Sequence, residues 1–257
     1  MAIITFLSDF GESDHYVSAV KAKILSINSG INIVDISHQI TSCDIAHAAY
    51  VLKAVFRDFP KGTVHLVAVN TIGQAGDKYL AIELDGHFFI GTDNGLFGLI
   101  SESEPRLQVD INSIAPIQTT FPEKQVFAPA AAKLASGKSL QDLGRPLPQI
   151  KRMLGRHLKA NKKQIAGNII RVDHYGNLIT NIDKRTFDIL SKDKRYSVHF
   201  SRESVGRINE SMNLVEAGDV FTIFNDQGYL EIGINQGIAS ELLGLGYDSP
   251  VIINFEE

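Results

Sequence analysis

The sequence has no tryptophan, three methionines and one cysteine, Cys43. One thiol cannot form an internal disulfide, so a disulfide-stapled secreted scaffold is excluded. No apolar run approaches the roughly 18 residues that a membrane-crossing helix needs. The first stretch, Met1 to Asp14, lacks a basic n-region and a long apolar core and turns acidic early, unlike a secretory leader. Positive charge is not in excess either: the net charge is -4, which argues against coating nucleic acid or an anionic membrane. The expectation is a soluble, cytoplasmic protein with neither kind of partner. What remains is an ordinary globular composition, 44% hydrophobic and 21% charged over 257 residues. That length allows one large domain or two small ones around a real core.

Several familiar motifs are also missing. Asp9-Phe10-Gly11 matches the kinase magnesium motif, but the eight residues before it cannot hold a glycine-rich loop and a lysine strand. No strand is followed by GxGxxG, and Gly73-Gln74-Ala75-Gly76-Asp77-Lys78 lacks the Gly-Lys-Ser/Thr of a phosphate loop. The eight histidines form no HExxH and have no cysteine partners, so no metal site is expected.

The first half alternates strand and helix patterns. Ile3–Leu7, Ile31–Ile36 and Val64–Val69 read as buried strands, and Leu80–Leu84 with His87–Ile90 as a hairpin turning at Asp85-Gly86. Val17, Val20, Ile24 and Ile27 fall at helical spacing. Asp44 caps a second helix carrying Ile45, Ala48, Ala49, Leu52 and Val55. A further helix is expected over Val126–Ala135, with Pro129 near its start. Alternating strands and helices imply a mostly parallel sheet covered on both faces. The second half shows short runs, Ile165–Val172, Ser197–Phe200, Val220–Phe224, Tyr229–Ile234 and Val251–Phe255, between Gly- and Asn-rich turns, which suits a small antiparallel barrel or sandwich. Between the halves lie Lys151, Arg152, Arg156, Lys159, Lys162 and Lys163. With no aromatic residues interleaved, they read as a solvated connection rather than a nucleic-acid patch. The expected domains are 1–155 and 164–257, with 156–163 as linker.

Five segments then stand out together. They are Leu7-Ser8-Asp9-Phe10-Gly11 with Asp14, Tyr16 and Val17; Val34-Asp35-Ile36-Ser37-His38 with Ile40 and Asp44; and Phe59-Pro60-Lys61-Gly62-Thr63-Val64-His65-Leu66 with Gly91-Thr92-Asp93-Asn94-Gly95-Leu96-Phe97. The fourth is Thr120-Phe121 with Val126-Phe127-Ala128-Pro129-Ala130. The last is Asp173-His174-Tyr175-Gly176-Asn177 with Asn225-Asp226-Gln227-Gly228-Tyr229-Leu230-Glu231 and Asn235. Taken singly each is explained by turns and caps. In this order and spacing, the chain resembles the S-adenosylmethionine hydroxide adenosyltransferases, the family that also contains the fluorinase and chlorinase. The resemblance implies an N-terminal α/β/α domain, a C-terminal antiparallel β-barrel, and a homotrimer whose site lies between subunits. It implies S-adenosylmethionine as substrate or adenosine as ligand, with no metal or other cofactor. Asp9 is expected to bind the ribose 2′- and 3′-hydroxyls, which a carboxylate can accept with both oxygens, with Phe10 and Asp14 beside it. Asp173 is expected to hold the methionine ammonium, Tyr175 to pack nearby and Asn177 to line the adenine side, with Asp226 and Asn235 completing the site.

The chain also departs from that family. Its hydrolases use an aspartate, an arginine and a histidine to control the water that attacks C5′. The corresponding positions here are Asn70, Asp77 and Pro122, none of which can repeat the original role. The remaining candidates for the water site are Glu123, Asn70 and Lys78, with Asp77. A carboxylate at Glu123 would repel an incoming halide, which disfavours halogenation. Three readings follow: a hydrolase with a rebuilt water site, an inactive protein that binds S-adenosylmethionine or adenosine, and a scaffold without ligand.

Overall fold

The computed structural model describes residues 2–72, 76, 78–153, 155 and 157–256. Asp77, Gly73 and Arg156, each named above, lie outside the described residues. The chain divides into two compact units, Met1–Leu154 and Gly155–Glu257.

The first unit is built on a seven-stranded sheet: β1 (Ile3–Ser8), β2 (Asn32–Ser37), β3 (Val64–Ala68), β4 (Tyr79–Leu84), β5 (His87–Thr92), β6 (Leu107–Asp110) and β7 (Arg145–Pro146). Its order is β2-β1-β3-β5-β4-β6-β7. The first four in that order pair in parallel, and β4, β6 and β7 follow by antiparallel pairing. The alternation of β1 explains the layers. Ile4 and Phe6 face a cluster with Val20 and Ile24 of α1 (Tyr16–Ile27) and the alanines of α4 (Ala128–Ala135). Leu7 faces the opposite cluster with Leu52 of α2 (Ile45–Val55) and Leu96 of α3 (Leu96–Ile100). The expected hairpin turn is formed by Asp85 and Gly86, with φ of 50° and 77°, the left-handed pair of a type I′ turn. Asp44 caps α2 as expected, accepting the His47 backbone N–H at 2.9 Å.

The fourth helix differs from its sequence expectation. The helical path begins at Glu123, as a π-helical turn over Glu123–Phe127 that runs into α4. The Ala128 N–H reaches back five residues to the Glu123 carbonyl. Hydrophobic periodicity reports the 3.6-residue face and is blind to one wider turn ahead of it.

The second unit holds β8 (Lys159–Ala160), β9 (Gln164–Val172), β10 (Leu178–Asp183), β11 (Arg195–Phe200), β12 (Glu203–Val205), β13 (Val220–Phe224), β14 (Tyr229–Ile234) and β15 (Pro250–Glu256), with α5 (Lys184–Ser191) and α6 (Ala239–Leu242). Their antiparallel path is β12-β11-β15-β9-β10-β14-β13, with β8 on β9. The residues after β12 return to the far edge. The Asn209 N–H donates to the Thr222 carbonyl, and the Thr222 hydroxyl donates to the Arg207 carbonyl, both at 2.6 Å. The sheet is thereby a nearly closed barrel, and closure removes exposed strand edges. Its interior is aliphatic: Ile165 and Ile169 of β9, Leu178 and Ile182 of β10, Leu230, Ile232 and Ile234 of β14, and Val251 and Ile253 of β15. No helix among the described residues is long and apolar enough to cross a membrane.

Candidate functional site

In the first unit the chain leaves β1 toward β2 on one side and enters β3 on the other. The carboxyl ends of β1 and β3 therefore form the switch point at which open α/β sheets bind ligands. Asp9 follows β1 there, and Asn70 lies just beyond β3. Asp9 Oδ2 accepts the backbone N–H of Cys43 at 2.9 Å and of Asn70 at 3.2 Å. Both donors are in the left-handed region, with φ of 61° and 48°, a conformation that asparagine tolerates better than most residues. One carboxylate oxygen thus ties three loops together. Asn94, following β5, joins the same loops by donating to the Val69 carbonyl at 3.0 Å.

Above Asp9 the rings of Phe10, Tyr16 and Phe121 pack in a triangle, with centroids 5.5–6.1 Å apart. Phe121 carries the chain into Pro122 and Glu123. Glu123 is only 5% exposed. Burial pushes its pKa above the usual carboxylate value, the Thr71 hydroxyl and a backbone N–H oppose that shift, and the charge of Asp9 adds to it. Asn70, Asp9 and Glu123 thus come together. Asp14 is exposed at the start of α1. Lys78 is exposed and lines a separate polar pocket of about 360 Å³ with Tyr79, Asp110 and Asn112, which none of Asp9, Asn70 and Glu123 lines.

The second unit holds a pocket of about 930 Å³, and all five of its nominated residues line it: Asp173, Tyr175, Asn177, Asp226 and Asn235. Two turns build it. In the β9–β10 turn the Asn177 N–H donates to Asp173 Oδ1 at 2.8 Å, and Gly176 supplies the left-handed residue. In the β13–β14 hairpin Asn225 closes the turn, its Oδ1 accepting the Tyr229 N–H at 3.0 Å. Tyr175 is 75% exposed at the rim. Asn235 also donates to the Val215 carbonyl at 2.8 Å, so part of its role is to hold the wall.

Two family models match the sequence. The SAM hydroxide adenosyltransferase N-terminal domain matches residues 4–144, and the C-terminal domain of the same name matches residues 167–252. The chain belongs to the S-adenosylmethionine hydroxide adenosyltransferase family. Family relatives align along nearly the whole length. A protein of Thermus thermophilus named (R)-S-adenosyl-L-methionine hydrolase is 31% identical over 98% of this chain and 99% of its own. One of the same name from Methanocaldococcus jannaschii is 29% identical over 95% and 93%. A fluorinase of an Actinoplanes species is 25% identical over 91% of each. The crystal structure of an uncharacterized conserved protein from Thermotoga maritima superposes with a TM-score of 0.89 at 28% identity, covering 98% of this chain and 99% of that one.

Two residues beside these candidates escaped the sequence reading as functional groups. Thr71, buried beside Glu123, sits in a segment with no periodic signal. Glu231 is 5% exposed under the second pocket. Its signal was available: a carboxylate inside the otherwise apolar run Leu230–Ile234. Among the described residues no group of three or more His, Cys, Asp or Glu side chains is placed to hold a metal ion.

Proposed function

We propose that the protein is an adenosine-forming S-adenosylmethionine hydrolase. Water attacks C5′ of the ribose, the C5′–S bond breaks, and its electron pair stays on sulfur as methionine leaves. The attacking oxygen gives up a proton, leaving adenosine. The sulfonium is already a good leaving group, so the protein must align the water, exclude competing solvent and take the proton.

Glu123 carries this reading. It is a buried carboxyl with a raised pKa, set next to Asp9 at the sheet switch point, and a raised pKa makes a better base near neutrality. We assign Glu123 to orienting and deprotonating the water, with Asn70 as a neutral neighbour that can hydrogen-bond it. Asp9 Oδ1 takes the ribose hydroxyls, with Phe10 and Asp14 at the edge. In the second unit Asp173 takes the ammonium, Tyr175 covers it, Asn177 meets the adenine, and Asp226 and Asn235 bound the pocket. Lys78, on its separate pocket, is the weaker catalytic assignment. The full site forms between copies of a homotrimer. The relatives named as hydrolases support the reaction class. The opposing reading, an inactive binder of S-adenosylmethionine or adenosine, is favoured by one observation: Asn70, Asp77 and Pro122 stand where the family triad is expected.

Incubation with S-adenosylmethionine, followed by chromatography for adenosine, separates the two. Glu123→Gln should lower turnover by at least about a hundredfold, the usual worth of a general base, with adenosine affinity nearly unchanged. The parent rate should decline on acidification at a pH above the ordinary carboxylate range. An active parent whose rate ignores Glu123→Gln removes this base, and a parent that binds without turnover establishes the binder.

A further inference from the structure

One carboxylate underlies both turns of the second pocket. Asn177 Nδ2 donates to Glu231 Oε1 at 3.0 Å and lies 3.4 Å from Asp173 Oδ2, while Asn225 Nδ2 donates to Glu231 Oε2 at 3.2 Å. The oxygens of an ionised carboxylate accept and do not donate, so with Glu231 charged both amides turn their NH₂ groups toward it. This settles the direction of the Asn177 amide. Its Oδ1 accepts no hydrogen bond from the described residues and is not sealed from solvent, although the side chain as a whole is 6% exposed and lines the pocket. The space that Oδ1 occupies exists because residue 233 is glycine: a Cβ there would lie 2.6 Å from it.

We infer that Glu231 is a positioning residue for base selection, pinning the Asn177 amide so that an acceptor meets the nucleobase edge. The chemistry that fits is a purine with an exocyclic amine, whose N–H donates to Oδ1. A 6-oxo purine would set acceptor against acceptor and leave both unpaired. The inference rests on the nucleoside reading above and adds a residue and a selection rule to it.

The test is calorimetric binding of adenosine and inosine to the full chain, parent and Glu231→Gln. Glutamine has the same shape but offers one acceptor to two NH₂ groups, so one asparagine must turn over. The parent should bind adenosine at least about tenfold more tightly than inosine, and the variant should narrow that ratio to below about threefold. A purely structural role would weaken both ligands alike and preserve the ratio, which overturns the inference. A parent that binds both nucleosides equally also overturns it while leaving the nucleoside reading intact. A parent that binds neither overturns both.

Discussion

Deep in the first unit, on the sheet face under α2, three polar side chains pack together. The Thr5 hydroxyl and His65 Nδ1 are 2.7 Å apart, and His65 Nε2 and His87 Nδ1 are 3.2 Å apart. Phe56 packs against both rings, and Phe89 stacks on that of His65. Burial, aided by His87, pushes the His65 pKa down to about 3 from 6.5. The folded state therefore keeps His65 neutral where an unfolded chain would protonate it. Its contribution to stability is complete above pH 6.5 and is lost as pH falls from there toward 3. Relative to His65→Gln, which cannot titrate, the parent should lose about 1.4 kcal/mol per pH unit below that point. Urea unfolding of both proteins at pH 7.5, 6 and 5 measures it, and a constant difference would mean that His65 protonates freely in the fold. Single residues were unevenly legible in the sequence. Asp9 and Asp173 could be nominated only through the family resemblance, because a turn or a cap explains each carboxylate when it is taken alone. That one oxygen of Asp9 is committed to Cys43 and Asn70 depends on residues far apart in the chain, which no local pattern reports.

At the scale of the element, β14 does two jobs with its two faces. Leu230, Ile232 and Ile234 fill the barrel interior, and Glu231 and Gly233 face the other way. The period of two made this strand easy to place from Tyr229 to Ile234, and β9, β13 and β15 were legible for the same reason. The π-helical turn at Glu123 was not, because its consequence is rotational: it changes where Glu123 points without altering which residues are apolar. Gly233 is a position where the element and the site meet. A Cβ there would come within 2.1 Å of Phe221 and 2.6 Å of Asn177 Oδ1, so the neighbouring strand and the pocket side chain must both move. Gly233→Ala should cost roughly 1–3 kcal/mol of stability, as overpacking does, and should weaken adenosine binding as well. Thermal unfolding and calorimetry on one preparation check both, and an alanine variant equal to the parent in each would show that the wall yields freely.

On the scale of the whole molecule, the two units carry complementary halves of the proposed chemistry. The first holds Asp9, Asn70 and Glu123, suited to a ribose and a water. The second holds Asp173, Asn177 and Glu231, suited to an ammonium and a base. The proposed trimer joins the first half of one copy to the second half of its neighbour, and that arrangement makes a prediction a self-contained chain cannot meet. Glu123→Gln disables only the first half, and Asn177→Ala only the second. Neither variant should turn over substrate at an appreciable rate alone. In a cyclic trimer that holds both variants, one of the three sites draws two intact halves, so about a third of the sites are intact. Activity should then return to about that fraction of the parent value, and light scattering should find the trimer in both variants without ligand. If both halves belonged to one chain, every site would carry one lesion and the mixture would stay as inactive as its parts. Co-expression of the two variants with distinguishable tags, followed by purification through both tags and the adenosine assay, makes the measurement. A mixed trimer with no recovered activity, or a monomer at micromolar concentration, would place the two halves in a single chain.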